Sequence, residues 1–196
     1  MHDPIRLVLI ALSVVLLAAG GYYRVQSQRG GEPLDRTKEG WPLLIGIRVA
    51  GLLIVVSTVA WFWNPARLRW TSLPLPDAVR WIGVVLFGCS VAWLVWMFHT
   101  LGPNLTDTVV TRRNAEFVAH GPYRIVRNPM YLGVFMAGFS LGVAAATWLV
   151  LVGAGLIFTL FVLRTSTEER YLIERFGYRY REYMERVGRF FPRLRR

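Results

Sequence analysis

MYLGVFMAGFSLGVAAATWLVLVGAGLIFTLFVL, from Met130 to Leu163, carries no charge along its length and decides the fold. At about 1.5 Å per residue it would make a rod of roughly 50 Å, against a hydrocarbon core of about 30 Å. The run must therefore fold back on itself. Ala144-Ala-Ala-Thr147, just ahead of Trp148, is the expected turn. Two arms of about 17 residues result, short for membrane spans. Gly133, Gly138, Gly142, Gly153 and Gly155 are small enough to let those arms approach closely.

Three more apolar blocks lie upstream, at Ile5–Tyr23, Pro42–Trp63 and Val79–Phe98. The chain reads as an all-α integral membrane protein with five transmembrane helices, the last two forming the short hairpin. Its 196 residues are 54% hydrophobic with a mean hydropathy of +0.39, which suits one domain but not an ordinary soluble one. A single membrane domain over 1–196 is expected, with three spans in 1–98 and a loop, hairpin and tail helix in 99–196. Cys89 is the only cysteine, so there is no disulfide framework. His2, His99 and His120 are too few and scattered for a metal site.

Charge sets the expected orientation. Of the 23 basic residues, all but Arg6, Arg67, Arg69 and Arg80 fall in the first loop, the third loop, the tail or the adjoining helix ends. By the positive-inside rule the C-terminus is cytoplasmic and the N-terminus lies outside. The formal charge of +11 is read as attraction to anionic lipid headgroups at the inner leaflet and not as nucleic-acid binding.

The polar stretches flanking the hairpin hold the candidate chemistry. Gly121-Pro-Tyr-Arg-Ile-Val-Arg-Asn-Pro-Met-Tyr131 brings two arginines, an Asn-Pro break and two tyrosines to the membrane edge. Pro129 suits the first position of a helix. Beyond the hairpin stand Arg164 and the adjacent acids Glu168 and Glu169. Thr165 with Glu168, or Ser166 with Glu169, fits a capping box, so a new amphipathic helix is expected there. Leu172, Phe176, Tyr180, Tyr183 and Val187 would form its apolar face. Glu168 and Glu169 could serve only to offset a helix N-terminus. Equally, such a carboxylate could accept hydrogen bonds from an amine or a ribose. Arg164 could snorkel or clamp an anionic substrate, and Arg127 could be an interfacial anchor or part of a polar pocket.

These residues resemble the isoprenylcysteine carboxyl methyltransferase family and, more broadly, small membrane phospholipid methyltransferases. The resemblance rests on Leu101-Gly-Pro-Asn104, Gly121-Pro-Tyr123, Arg127-Asn-Pro-Met-Tyr131, Arg164-Thr165, Glu168-Glu169, Phe176-Gly-Tyr-Arg-Tyr180 and Arg189-Phe-Phe-Pro192. It covers the C-terminal half in consistent order. It implies an S-adenosyl-L-methionine-dependent methyltransferase that takes a lipid-like or prenylated acceptor from the bilayer. Donor contacts would fall at Ala115, Glu116, Phe117, Val118, Tyr123, Asn128, Pro129, Met130, Tyr131 and Glu168. Arg164 would hold the acceptor, with Glu169 and Arg127 completing the catalytic set. Asn128 stands where many relatives have His, and Asn cannot carry a proton. A carboxylate acceptor needs no base and is favoured over a phospholipid amine. A sterol-type reductase using NADPH, or a non-catalytic membrane protein, are the alternatives.

Overall fold

The computed structural model describes residues 3–29, 41–102 and 117–193. Among them the protein is helical: α1 (Pro4–Arg29), α2 (Trp41–Trp63), α3 (Asp77–Leu101), α4 (Pro129–Ala145), α5 (Trp148–Phe176) and α6 (Tyr178–Arg186). Short 3-10 turns cover Pro65–Thr71 and Gly121–Arg124. Two isolated β-bridges, Ser72 to Thr147 and Val126 to Gly188, are the extended pairings found there. Four helices, α1, α2, α3 and α5, are long and apolar enough to cross a membrane, while α4 has 17 residues.

The helices do not sit side by side in chain order. α1 packs on α3, α3 on α4, α4 on α5 and α5 on α2, so the hairpin is central and the first two helices flank it. The flanking pair turn much of their surface outward; Leu17, Val14 and Leu52 are exposed. Apolar side chains can face outward without penalty in lipid, where helix association comes from close packing and polar contacts instead.

The hairpin turn lies where small residues placed it. α4 ends at Ala145, and Ala146 adopts a left-handed conformation with φ 53. The Ala146 amide donates to the Val143 carbonyl and the Thr147 amide to that of Gly142, each at 3.0 Å. That pair of bonds is a Schellman motif, which satisfies the carbonyls a helix end leaves open. The upstream loop braces it: the Leu73 amide reaches the Ala146 carbonyl at 2.7 Å and the Thr147 hydroxyl reaches that of Thr71 at 2.7 Å.

Two expectations need correction. First, no helix starts at Thr165; α5 runs unbroken for 29 residues to Phe176. The Thr165 hydroxyl donates back to the Phe161 carbonyl at 2.8 Å, the local bond that lets threonine sit inside a helix. The true break is Gly177, at φ 56, so α6 is a separate element. Second, only some of the glycines serve the hairpin. A Cβ at Gly138 or Gly142 would press on Ala154 or Leu151 of α5, whereas Gly133 faces Leu94 and Trp93 of α3, Gly153 faces Ile54 of α2, and Gly155 faces open space.

Candidate active site

α4 begins, and the polar extension of α5 leaves the apolar layer, at the same end of the bundle. Trp93 of α3 fixes the start of α4 by donating its indole N–H to the Pro129 carbonyl at 2.9 Å. From that start Tyr131 sends its hydroxyl to Glu168 Oε1 at 2.5 Å. Arg164, one turn earlier on α5, pairs with the same oxygen at 3.1 Å. The ring of Tyr131 lies flat on Phe161, with centroids 4.1 Å apart and planes 12° from parallel. Tyr131 and Arg164 are buried, while Glu168 keeps 18% of its side chain exposed. The cluster therefore presents a carboxylate and a guanidinium at the edge of an aromatic wall.

Glu169, the neighbouring acid, lives differently. Its Oε1 accepts from Arg127 Nε at 3.0 Å and Nη2 at 2.8 Å, and its Oε2 is bonded by Arg189 Nη2. Arg127 Nη1 also donates to the carbonyls of Met184 and Val187. Charged groups are buried this way when each finds a partner. Backbone bonds run parallel to the ion pairs: the Arg127 amide reaches the Gly188 carbonyl at 2.8 Å, and the Asn128 amide reaches that of Arg189 at 3.1 Å. The Asn128 side-chain amide joins the same Arg189 carbonyl at 3.2 Å. Arg127 and Glu169 thus latch the segment after α6 onto the start of α4, and Asn128 shares in that latch.

Beneath α6 the expected apolar face exists, though it is shared between two helices and the chain that follows. Tyr180, Tyr183 and Val187 are buried together, with Leu172, Ile173, Phe176 and Phe117 against them. Phe117 is central: its ring lies 5.3 Å from Phe176 and from Tyr183 and 6.0 Å from Tyr180. The Tyr183 hydroxyl donates to the Tyr123 carbonyl, which ties this cluster to the 3-10 turn before α4. Burial first, and then the nearby Tyr183 and Glu168, push the Tyr123 phenol well above its ordinary range. Burial does the same to Tyr180 and Tyr183, opposed in both by Arg127. All three phenols are protonated donors at physiological pH.

Of the thirteen residues singled out from sequence, Ala115 and Glu116 lie outside the described residues. Tyr131, Glu168 and Arg164 meet directly, with Tyr123 close enough for Glu168 to act on its phenol. Pro129 is buried with its carbonyl taken by Trp93, and Met130 packs against two apolar clusters. Phe117 spends its ring on the tail cluster, and Val118 is partly buried. Arg127 and Glu169 meet each other. Arg189 was given no contact from sequence and Tyr183 only a place on the apolar face, because nothing in their local spacing announces the partners they find on α5 and before α4.

The profile of the phospholipid methyltransferase family matches residues 78–179. Methanethiol S-methyltransferase of Pseudomonas deceptionensis is 28% identical over 202 residues, covering 98% of this chain and 75% of its own length. Protein-S-isoprenylcysteine O-methyltransferase of Dictyostelium discoideum is 30% identical over 134 residues, covering 66% of this chain and 53% of its own. The protein of that name from Saccharomyces cerevisiae is 35% identical over 99 residues, covering 46% and 39%. The chain thus spans about half the length, or less, of the two isoprenylcysteine enzymes it matches.

Proposed function

This chain belongs to the phospholipid methyltransferase family, and we propose that it methylates the carboxylate of a lipid-like or prenylated acceptor, using S-adenosyl-L-methionine. That it is a methyltransferase follows from the family and from relatives that all bear that name. The family and its apolar helices also make it an integral membrane protein. The observation that carries the finer reading is the cluster of Tyr131, Glu168 and Arg164. In this reading α4 completes a fifth crossing, the N-terminus is outside, and the cluster and tail face the cytoplasm beside anionic headgroups.

The residues suit a cationic donor. Glu168 is a partly exposed carboxylate beside buried phenols, a setting that favours a positively charged group carrying amine and hydroxyl donors. When bound, S-adenosyl-L-methionine supplies a methyl group on a sulfonium, open to in-line displacement. Glu168 would accept hydrogen bonds from the donor's amine or ribose, and Tyr131 holds that carboxylate in one orientation. The backbone around Asn128, Pro129 and Met130, the ring of Tyr123 and the segment Ala115, Glu116, Phe117 and Val118 complete the proposed donor site. Arg164 orients the acceptor's oxygens, a task that matches its planar fork. Stacked Tyr131 and Phe161 exclude water on the membrane side. Alignment and dryness are the main requirements of such a transfer.

Arg127 and Glu169 are better read as positioning residues than as groups that touch substrate. Both oxygens of Glu169 already accept from arginine, so the carboxylate is occupied in the latch and not aimed at an acceptor. A small thiol acceptor is the second reading, favoured because the Pseudomonas deceptionensis relative aligns across 98% of this chain, the flanking α1 and α2 included. Titration calorimetry in detergent tests the donor: S-adenosylhomocysteine should bind, NADPH should not, and Glu168→Gln should cost about tenfold or more in affinity, as expected for a charge-assisted bond. Binding of NADPH without S-adenosylhomocysteine would overturn the reading. Membranes given radiolabelled methyl donor then identify the acceptor.

A further inference from the structure

The membrane side of the Tyr131 wall is closed by a residue from far along the chain. Phe190 is buried with Ala50 of α2, Tyr131 of α4, and Ile157 and Phe161 of α5. Its ring meets Phe158 edge-on at 5.2 Å. Phe158 lies six residues before Arg164 on α5, about 9 Å deeper at the helical rise. The segment after α6 therefore turns back and inserts one ring between transmembrane helices. Phe191 and Pro192 are exposed again, so the insertion is a single side chain. It is firmly set, because the latch of Arg127, Asn128 and Glu169 grips the residues immediately before it.

Tyr131 belongs to both sides of this arrangement: its hydroxyl reaches Glu168 and its ring shares an apolar cluster with Phe190. We propose that Phe190 is a specificity-determining residue that limits the length of apolar chain an acceptor can carry into the site. The inference rests on the reading that the acceptor's reacting group lies at Arg164. From there the apolar direction runs along α5 past Phe161 toward Ile157 and Phe158, and the Phe190 ring fills the space beside them. Removing the ring opens that path to a longer chain and does nothing for a short one. A purely structural Phe190 would instead weaken all acceptors alike.

The test uses two acceptors with the same carboxylate, N-acetyl-S-propylcysteine and N-acetyl-S-farnesylcysteine, and the full chain in detergent with labelled methyl donor. Phe190→Ala should raise the farnesyl-to-propyl ratio of kcat/KM by about tenfold or more, since even one methylene in an apolar pocket is worth that much. Phe190→Leu, the gentler change in case the alanine variant unfolds, should fall between. A ratio that stays put in a folded variant, or a parallel fall for both acceptors, overturns the proposal. If the unaltered protein methylates neither compound, the carboxylate reading fails by itself. The ratio of the two dissociation constants, measured with S-adenosylhomocysteine present, then decides on Phe190: a rise supports it and an unchanged ratio overturns it.

Discussion

At one end of the bundle α3 and α4 meet backbone to backbone; at the other, α4, α5 and the tail are joined by charged and aromatic side chains. Around the hairpin turn, a Cβ added at Gly83 would lie 2.6 Å from the Ala144 nitrogen and 3.0 Å from the Ser140 carbonyl oxygen. At the opposite end Arg127 and Glu169 form a buried ion pair, joined from its solvent side by the 40% exposed Arg189, and flanked by the Tyr131–Phe161 stack and the tail tyrosines. Lipid offers no hydrophobic drive between helices, so small residues and polar contacts must do the joining. The two ends divide those devices between them. Small residues permit contact but leave no room for a ligand, whereas long side chains can both hold the helices and face a cofactor.

The largest effect is expected where burial is deepest. Arg127 and Glu169 keep only 9% and 6% of their side chains exposed. Removing Arg127 leaves Glu169 with Arg189 alone, whose side chain is 40% exposed, so the cost should fall near the lower end of the roughly 3–5 kcal/mol for breaking a buried pair. Arg127→Ala should therefore lower stability by that order in denaturant unfolding from detergent. It should also loosen the tail, since Arg127 donates to the Met184 and Val187 carbonyls as well. Replacing both partners by apolar residues of similar size (Arg127→Met with Glu169→Leu) should recover part of the loss. A loss below about 1 kcal/mol, the range of exposed pairs, would show that the latch is solvated and the contrast between the ends is false.

At the turn end the test is steric. Gly83→Ala would gain roughly 1 kcal/mol in helix propensity, yet its methyl would collide with a backbone nitrogen that cannot rotate away. Overpacking typically costs about 1–3 kcal/mol, so the net change should be a loss of up to about 2 kcal/mol. Donor binding at the far end should be unaltered. Stabilisation on this substitution would mean that α3 and α4 are not in close backbone contact.

The two ends also differ in how plainly they were written in the chain. Apolar block lengths located the apolar helices, and Ala144-Ala-Ala-Thr147 located the turn, because both are local properties. Gly83 was not legible: its block shows that α3 is apolar but not which face meets α4. The extent of α5 was misjudged because Thr165 and Glu168 fit a helix start as well as a helix interior, and only the back-bonded hydroxyl decides. At the site end, the meeting of Tyr131 with Glu168 follows once the hairpin is folded, since its two arms return to one surface. The roles of Arg189 and Phe190 did not follow, because both depend on the tail pairing with residues 126–128, a long-range register with no local signal.

The smallest effect is expected at Arg80, the turn end's own ionic group. Its guanidinium joins three elements, bonding Asp3 at 3.0 Å, Asp77 at 3.2 Å and the Ala144 carbonyl at 3.1 Å. The partner list rivals that of Arg127, but the setting does not. Asp77 is 83% exposed and Asp3 36%, so water and salt compete for both pairs. Such contacts contribute about 0–1 kcal/mol each. The bond to Ala144 adds a cation at the C-terminal end of α4, worth about 0.3–1 kcal/mol. Arg80→Ala should therefore cost about 1 kcal/mol, well below Arg127→Ala, and the loss should shrink in high salt. If it instead matches Arg127→Ala and ignores salt, then burial is not what separates the two ends, and the count of partners is.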